Sequence, residues 1–281
     1  MNREIKTYNF SPLPVEIEVK DLSFVKSVPH ILGQPHKAKF YQLIWVKEGV
    51  FKGRIDFKDV AIHANEVLFI SPGQVCEFDV SQAYLGKLVL FTASFFTRTE
   101  EDANFLYTAE ILNPINSNHI VLIEPCLLSP LFTLLEEELK RANTHFQVAI
   151  AQNYLRIVLL ETERHVQPAY VLGIKNTARI FYHALEKHFK INKNTSYYAD
   201  LIGVSEKILT KELKSLTGNT PKVCIDARVI LEAKRLLSFS NLSMKEIGFE
   251  LGFEEPTNFT KYFRKHTNLT PNAFRDSMQH K

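Results

Sequence analysis

The sequence predicts an α+β chain of two domains: a small antiparallel β-barrel followed by a helical pair, then an all-α half. Three observations carry this. Short stretches of the first 125 residues alternate apolar and polar side chains, the period of half-buried strands. From residue 126 onward apolar residues recur at i, i+3, i+4 and i+7, the period of an amphipathic helix. Within the helical half, a segment repeats itself after 50 residues.

Composition bounds the function. A chain of 281 residues has room for two cores, and 45% apolar content is ordinary for a globular protein. No apolar run approaches a membrane span, and the start, MNREIKTYNF, lacks a secretory apolar core, so a cytoplasmic location is expected. Cys76, Cys126 and Cys224 lie far apart without metal or disulfide spacing, which suits a reducing compartment. The net charge of +3 is uneven. From residue 174 there are 18 Lys+Arg against 11 Asp+Glu, leaving 16 against 20 before it. A basic half beside an acidic half is expected when one half meets phosphates.

In the first half, residues 15–19 and 51–57 alternate, and residues 40–46, 66–71, 87–91 and 120–123 are further strand candidates. Pro72-Gly73 and Asn113-Pro114 separate them as turns, and closely spaced strands of this kind suggest a barrel or sandwich. In the strand 40–46, Tyr41, Leu43 and Trp45 share one face and Phe40, Gln42, Ile44 and Val46 the other. Alternation does not choose which points inward.

Residues 126–165 read as two helices. Leu127/Leu128, Leu131, Leu134/Leu135 and Leu139 make the first amphipathic, and the Ile157–Leu160 run makes the second apolar over a wide arc. The wide arc has two faces to cover, which the same chain or a second subunit could do. Residues 166–173, containing Gln167-Pro168, read as the interdomain linker.

The second half, 174–281, opens with a helix over 174–189 whose inward residues are Ile174, Ala178, Phe181 and Leu185, followed by a polar loop at 192–195. A short helix over 196–202 precedes Ser205, which caps a helix with Leu209, Leu213 and Leu216 inward and Lys207, Thr210, Lys211 and Lys214 outward. A long helix spans 226–239. Then Ser243, with Glu246 three residues on, has the spacing of a capping box, and Gly252 ends that helix. The next, about 255–266, turns Phe259, Tyr262 and Phe263 inward and leaves Thr257, Asn258, Lys261, Arg264 and Lys265 outside. Two short helices around a tight turn, the second with a basic outer face, form the helix-turn-helix pattern. Sliding the chain by 50 lays residues 205–221 over 255–271 with five identities, Thr210/Thr260, Lys211/Lys261, Thr217/Thr267, Thr220/Thr270 and Pro221/Pro271. The turn glycines Gly203 and Gly252 fall one register apart, so identical turns are not required.

These residues resemble the AraC/XylS family of bacterial transcription regulators over about 174–275, with the signature region at 245–275. The resemblance implies two helix-turn-helix units on one long helix, double-stranded DNA and RNA polymerase as partners, and an activator. It marks Lys207, Thr210 and Lys211 in the first unit, and Pro256, Thr257, Asn258 and Lys261 in the second, as base-reading positions. At such positions Asn pairs with adenine, Lys with guanine, and a Thr methyl meets thymine; Pro256 offers only apolar contact or helix initiation. Lys214, Arg264 and Lys265 lie further along and suit phosphates.

The first half resembles the cupin-like sensor domain of such regulators. Where the cupin metal box has its ligands, this chain has His36, Ala38 and Gln42, with Gly49 beyond, and Cys76 or Glu77 replaces the later histidine. One ligand of the expected type is too few, so neither metal nor cofactor is expected. The barrel mouth then remains a small-molecule pocket, with His36, Gln42, Cys76 and Glu77 as polar candidates for an unknown effector. Residues 126–165 are the candidate homodimer interface. Two rivals are a cupin-type metal enzyme fused to a DNA-binding domain and an effector-independent DNA-binding protein. Against the enzyme, no Ser/His/Asp, Cys/His or phosphate-loop arrangement is present.

Overall fold

The computed structural model describes residues 5–10, 15–81, 83–112, 120–141, 146–166 and 176–279. The turn pair Asn113-Pro114, linker residues 167–173 and Ile174 lie outside them, as does the Leu216 side chain. The chain divides into two compact units, Lys6–Leu172 and Gly173–Lys281.

The first unit contains nine strands among the described residues: β1 (Lys6–Tyr8), β2 (Ile17–Asp21), β3 (His36–Ala38), β4 (Tyr41–Ile55), β5 (Lys58–His63), β6 (Glu66–Ile70), β7 (Val75–Phe78), β8 (Tyr84–Phe91) and β9 (Ile120–Leu122). Its helices are α1 (Phe24–Ser27), α2 (Pro29–Leu32), α3 (Ala93–Phe96), α4 (Glu100–Thr108), α5 (Pro125–Lys140) and α6 (Gln147–Val166). The candidates at 40–46 and 51–57 are one strand, β4, rather than two. Gly49 explains this, for it has φ +82°, and a Cβ there would stand 2.3 Å from the Ala83 carbonyl oxygen. With the register shift between Val46 and Glu48, it bends the strand instead of ending it.

The bend curls the sheet. Residues 41–45 of β4 pair with β8 and β6, and residues 50–55 pair with β5 and β7, so one strand serves both layers. All strand pairs are antiparallel except β1 with β3, which run parallel at one edge. The fully antiparallel barrel expected from alternation is corrected at that edge: both strands are three residues long, too short to show a period.

The two faces of β4 are both buried, which is why alternation could not choose between them. Ile44 and Val46 join Phe51, Ile62, Leu68, Phe78 and Leu88 inside the curled sheet. Tyr41, Leu43 and Trp45 face the opposite way, into a second core with Leu128, Phe132, Leu155 and Val158 of α5 and α6. Trp45 stacks on Phe132 at 4.9 Å between centroids, fixing the helical pair to the sheet. Asp102 and Glu163 are buried carboxylates with partners. Asp102 completes a capping box with Thr99 and pairs with Arg156, and Glu163 accepts from the Glu110 and Ile111 amides. Leu127 and Leu134 on α5 and Ile157 and Leu160 on α6 stay exposed.

The second unit is helical: α7 (Asn176–His188), α8 (Thr195–Leu201), α9 (Glu206–Thr217), α10 (Pro221–Phe239), α11 (Met244–Glu250), α12 (Pro256–Thr267) and α13 (Pro271–Gln279). The long helix α10 begins five residues before its expected start at 226. Thr220 caps it by accepting from the Val223 amide, and Pro221 takes the first helical position, where a missing N–H costs nothing. Its buried side is Ile225, Val229, Ala233 and Leu237. Leu231 and Leu236 of the same helix are only half-buried. Arg228 and Arg235 on α10 are buried but share Glu232, and Arg228 also meets Glu186 of α7 at 2.8 Å.

Candidate nucleic-acid interface

The repeat read from the sequence recurs in hydrogen-bonding detail. Helix α8 ends with Gly203 at φ +72°, its amide on the Asp200 carbonyl and the Val204 amide on that of Ala199. Helix α11 ends with Gly252 at φ +72°, its amide on Phe249 and the Phe253 amide on Gly248. Both are Schellman motifs, closed by a left-handed residue that glycine adopts without strain. The one-residue register difference falls after the glycine: Val204 alone precedes the cap Ser205, whereas Phe253 and Glu254 precede Glu255.

The helices that follow also end alike. Gly218 (φ 73°) closes α9 and Asn268 (φ 61°) closes α12, their amides on Lys214 and Arg264. The Thr217 and Thr267 hydroxyls donate to Leu213 and Phe263, one turn back. Thr220 and Thr270 then accept from the third amide of the next helix. At their starts the two differ. Ser205 caps α9 by accepting from the Ile208 amide, whereas Glu255 makes no side-chain cap and Pro256 opens α12 from the first position. The half-buried Pro256 is therefore placed as a helix initiator, with its Cα 3.7 Å from where a Gly248 Cβ would stand.

Burial divides each helix cleanly. Leu209 and Leu213 of α9, and Phe259 and Phe263 of α12, are fully buried. Lys207, Lys211 and Lys214 are exposed on α9, as are Thr257, Asn258, Lys261, Arg264 and Lys265 on α12, while Thr210 is half-buried. Lys207, Thr210, Lys211 and Lys214 together line one open surface cleft with Glu206 and Ser215. What anchors α12 to α10 is not written in any local pattern of the chain. The Tyr262 hydroxyl donates to Asp226 Oδ1 at 2.6 Å, and Lys222 meets the same oxygen at 2.8 Å. Burial, then this hydrogen bond, pushes the Tyr262 phenol well above its ordinary value, so it stays a donor.

In the first unit the four polar barrel residues separate. His36 and Cys76 are cross-strand partners on β3 and β7, both buried. Gln42 is buried on the Ile44 side of β4. Glu77 alternates to the other face of β7, where it lines a surface groove with Lys52, Arg54 and Asp59, so the structure does not bring it to the others. The His36 Nδ1 lies 2.9 Å from the Gln34 carbonyl oxygen, which makes it the donor and leaves Nε2 a bare acceptor without a partner. Burial pushes this imidazole's pKa down. The Tyr84 hydroxyl, missed in the sequence, is also buried without a partner, its pKa pushed up to about 12 chiefly by burial. Phe78 and Phe51 lie between the two rings. Among the described residues no three His, Cys, Asp or Glu side chains gather as metal ligands.

Comparison with known proteins places these observations. The family described as a helix-turn-helix domain matches residues 198–277. The HTH-type transcriptional activator RhaS of Escherichia coli O1:K1 / APEC is 32% identical over 91 residues, 32% of this chain and 33% of the relative. RhaS of Escherichia coli K12 / DH10B matches to the same extent. The chain thus spans about a third of the length of the curated relatives it matches. Among solved structures, the AdpA DNA-binding domain in complex with a target DNA is 26% identical, covering 38% of this chain and 95% of that one, at a TM-score of 0.34. ToxT from Vibrio cholerae is 14% identical, covering 92% and 97%, at 0.43. On the helix-turn-helix match and the RhaS relatives, residues 198–277 form a helix-turn-helix domain similar to that of AraC-type transcription regulators.

Proposed function

We propose that the chain is a sequence-specific regulator of transcription that binds double-stranded DNA, and an activator, the activity named for its RhaS relatives. The observation that supports this most is the recurrence of one turn-and-cap geometry at residues 203–220 and 252–270, each copy presenting an exposed basic helix face. Two such helices in one chain suit two major-groove segments about 34 Å apart. Lys207, Thr210, Lys211, Thr257, Asn258 and Lys261 read bases in this account, and Lys214, Arg264 and Lys265 hold phosphates. Selection of bound fragments from random duplex DNA tests it: a recovered consensus with two half-sites supports the function, and recovery without sequence preference overturns it.

The first unit supports a sensing and pairing role. A buried acceptor at His36 and a buried donor at Tyr84, both unpartnered, suit a small effector that carries complementary groups. The exposed Leu127, Leu134, Ile157 and Leu160 suit a homodimer, which would raise the affinity for paired sites. RNA polymerase is the partner an activator needs, and the cytoplasm is where its DNA lies. Among the described residues no helix is long and apolar enough to cross a membrane. Thermal stability with candidate effectors, and mass in solution, test these two roles.

A further inference from the structure

The loop joining α7 to α8 reaches from the first helix-turn-helix unit onto the turn of the second. Lys190 Nζ meets Glu250 Oε1 at 2.5 Å, at the end of α11. Lys193 Nζ donates to the Gly252 carbonyl oxygen at 3.3 Å and lies 4.4 Å over the Phe253 ring. The approach is close enough that a Cβ on Gly252 would stand 1.7 Å from the Lys190 carbonyl oxygen. The loop is itself fixed from two sides. The buried Tyr198 of α8 donates to the Asn192 carbonyl, and Lys222 of α10 donates to that of Lys193. Lys222 also meets Asp226, which accepts from Tyr262 of α12, so the loop, α10 and the second unit form a closed circuit.

The Tyr262–Asp226 bond fastens α12 to α10 itself, and a second attachment away from that helix further restrains rotation of the second unit about it. From this geometry we infer that the 190–193 loop is a latch that holds α9 and α12 at a fixed separation and rotation, with Lys193 as its main positioning residue. The inference rests on the proposed DNA reading, because only DNA with two half-sites senses that separation. The latch selects operators by spacing, through residues that touch no base.

The test uses the full chain on a selected two-half-site duplex, on the same duplex with one base pair inserted between half-sites, and on a single half-site. An insertion moves the far site by about 3.4 Å and about 34°. Wild type should lose about tenfold or more on the inserted duplex, the loss that one bad position in a site causes. Lys193→Met and Glu250→Gln should shrink that ratio severalfold while single-half-site affinity and the far-ultraviolet helical signal stay unchanged. Lys193→Arg, which keeps the charge over Phe253, should restore it. Folded Met and Gln variants that discriminate as wild type does would overturn the latch. So would a wild type that binds operator yet ignores the insertion. A wild type without sequence preference on any selected DNA would instead overturn the DNA reading, and the latch with it.

Discussion

Tyr262, on the inward side of α12, donates its hydroxyl to Asp226 of α10 at 2.6 Å. The pair binds the second exposed basic helix to the long helix that also carries the first. Asp226 is buried, and Lys222 and His266 also lie against it, at 2.8 and 3.6 Å. Removing the phenol oxygen takes one hydrogen bond from a buried carboxylate without opening a cavity. Tyr262→Phe should therefore lower unfolding stability by about 1–3 kcal/mol, the range for a hydrogen bond to a charged group. Denaturant unfolding of the variant measures it, and an unchanged midpoint would assign the anchoring to Lys222 alone.

The two turn glycines make a matched pair for separating backbone strain from crowding. Gly203 and Gly252 share φ +72°, yet a Cβ on Gly203 would meet open space and one on Gly252 would strike the Lys190 carbonyl. Gly203→Ala should cost only the left-handed penalty, about 1–2 kcal/mol. Gly252→Ala adds displacement of the 190–193 loop and should cost about 3 kcal/mol or more. Equal losses in thermal unfolding would mean that the loop yields without cost.

The contrast marks what the sequence could and could not disclose. Ser243 and Glu246 were readable because a capping box is written within four residues, and both of its hydrogen bonds form. The repeat was readable because its threonines and proline do the same local work twice. The 190–193 latch was not, since it joins a lysine to a carbonyl 59 residues away and leaves no period in the chain. In the sequence β4 reads as two strands because Lys47, Glu48 and Gly49, all exposed, interrupt its buried pattern at the bend. Its two buried faces defeated alternation for a related reason. Period two separates core from solvent, and here a core lies on each side. The resemblance sets Glu77 beside His36, but its position along β7 sends it to the opposite face.

Lys193 should titrate in an unusual range. Burial, with the Lys222 charge adding, pushes its ammonium down to about 8 from the ordinary 10.5. Below about 8 the lysine is charged in both folded and unfolded chains and contributes no slope. Between the two values the unfolded chain holds a proton that the folded one has released, so stability rises with pH across that window. Nitrogen-detected NMR should find the Lys193 Nζ midpoint near 8. The stability difference between wild type and Lys193→Met should grow in favour of wild type from about pH 8 to 10.5. A midpoint near 10.5 would mean that water reaches the ammonium inside the latch.

On α12, base reading and phosphate holding are separable by position. Asn258 and Lys261 are exposed near the start of the helix, which Pro256 opens, and Lys265 is exposed one turn beyond Lys261. A helix entering the major groove brings its first turns nearest the base edges and leaves the groove further on. Replacing a base-reading side chain should cost about 1–3 kcal/mol on the preferred site and much less on random DNA. Replacing a phosphate-holding lysine should weaken both alike and reduce the salt slope by about one unit. Asn258→Ala and Lys261→Ala should therefore flatten the preference for operator over random duplex, while Lys265→Ala lowers both affinities in parallel. Binding curves at several salt concentrations distinguish the two patterns. If Lys261→Ala weakened both DNAs equally, α12 would be gripping the backbone, and sequence reading would fall to Lys207, Thr210 and Lys211 on α9.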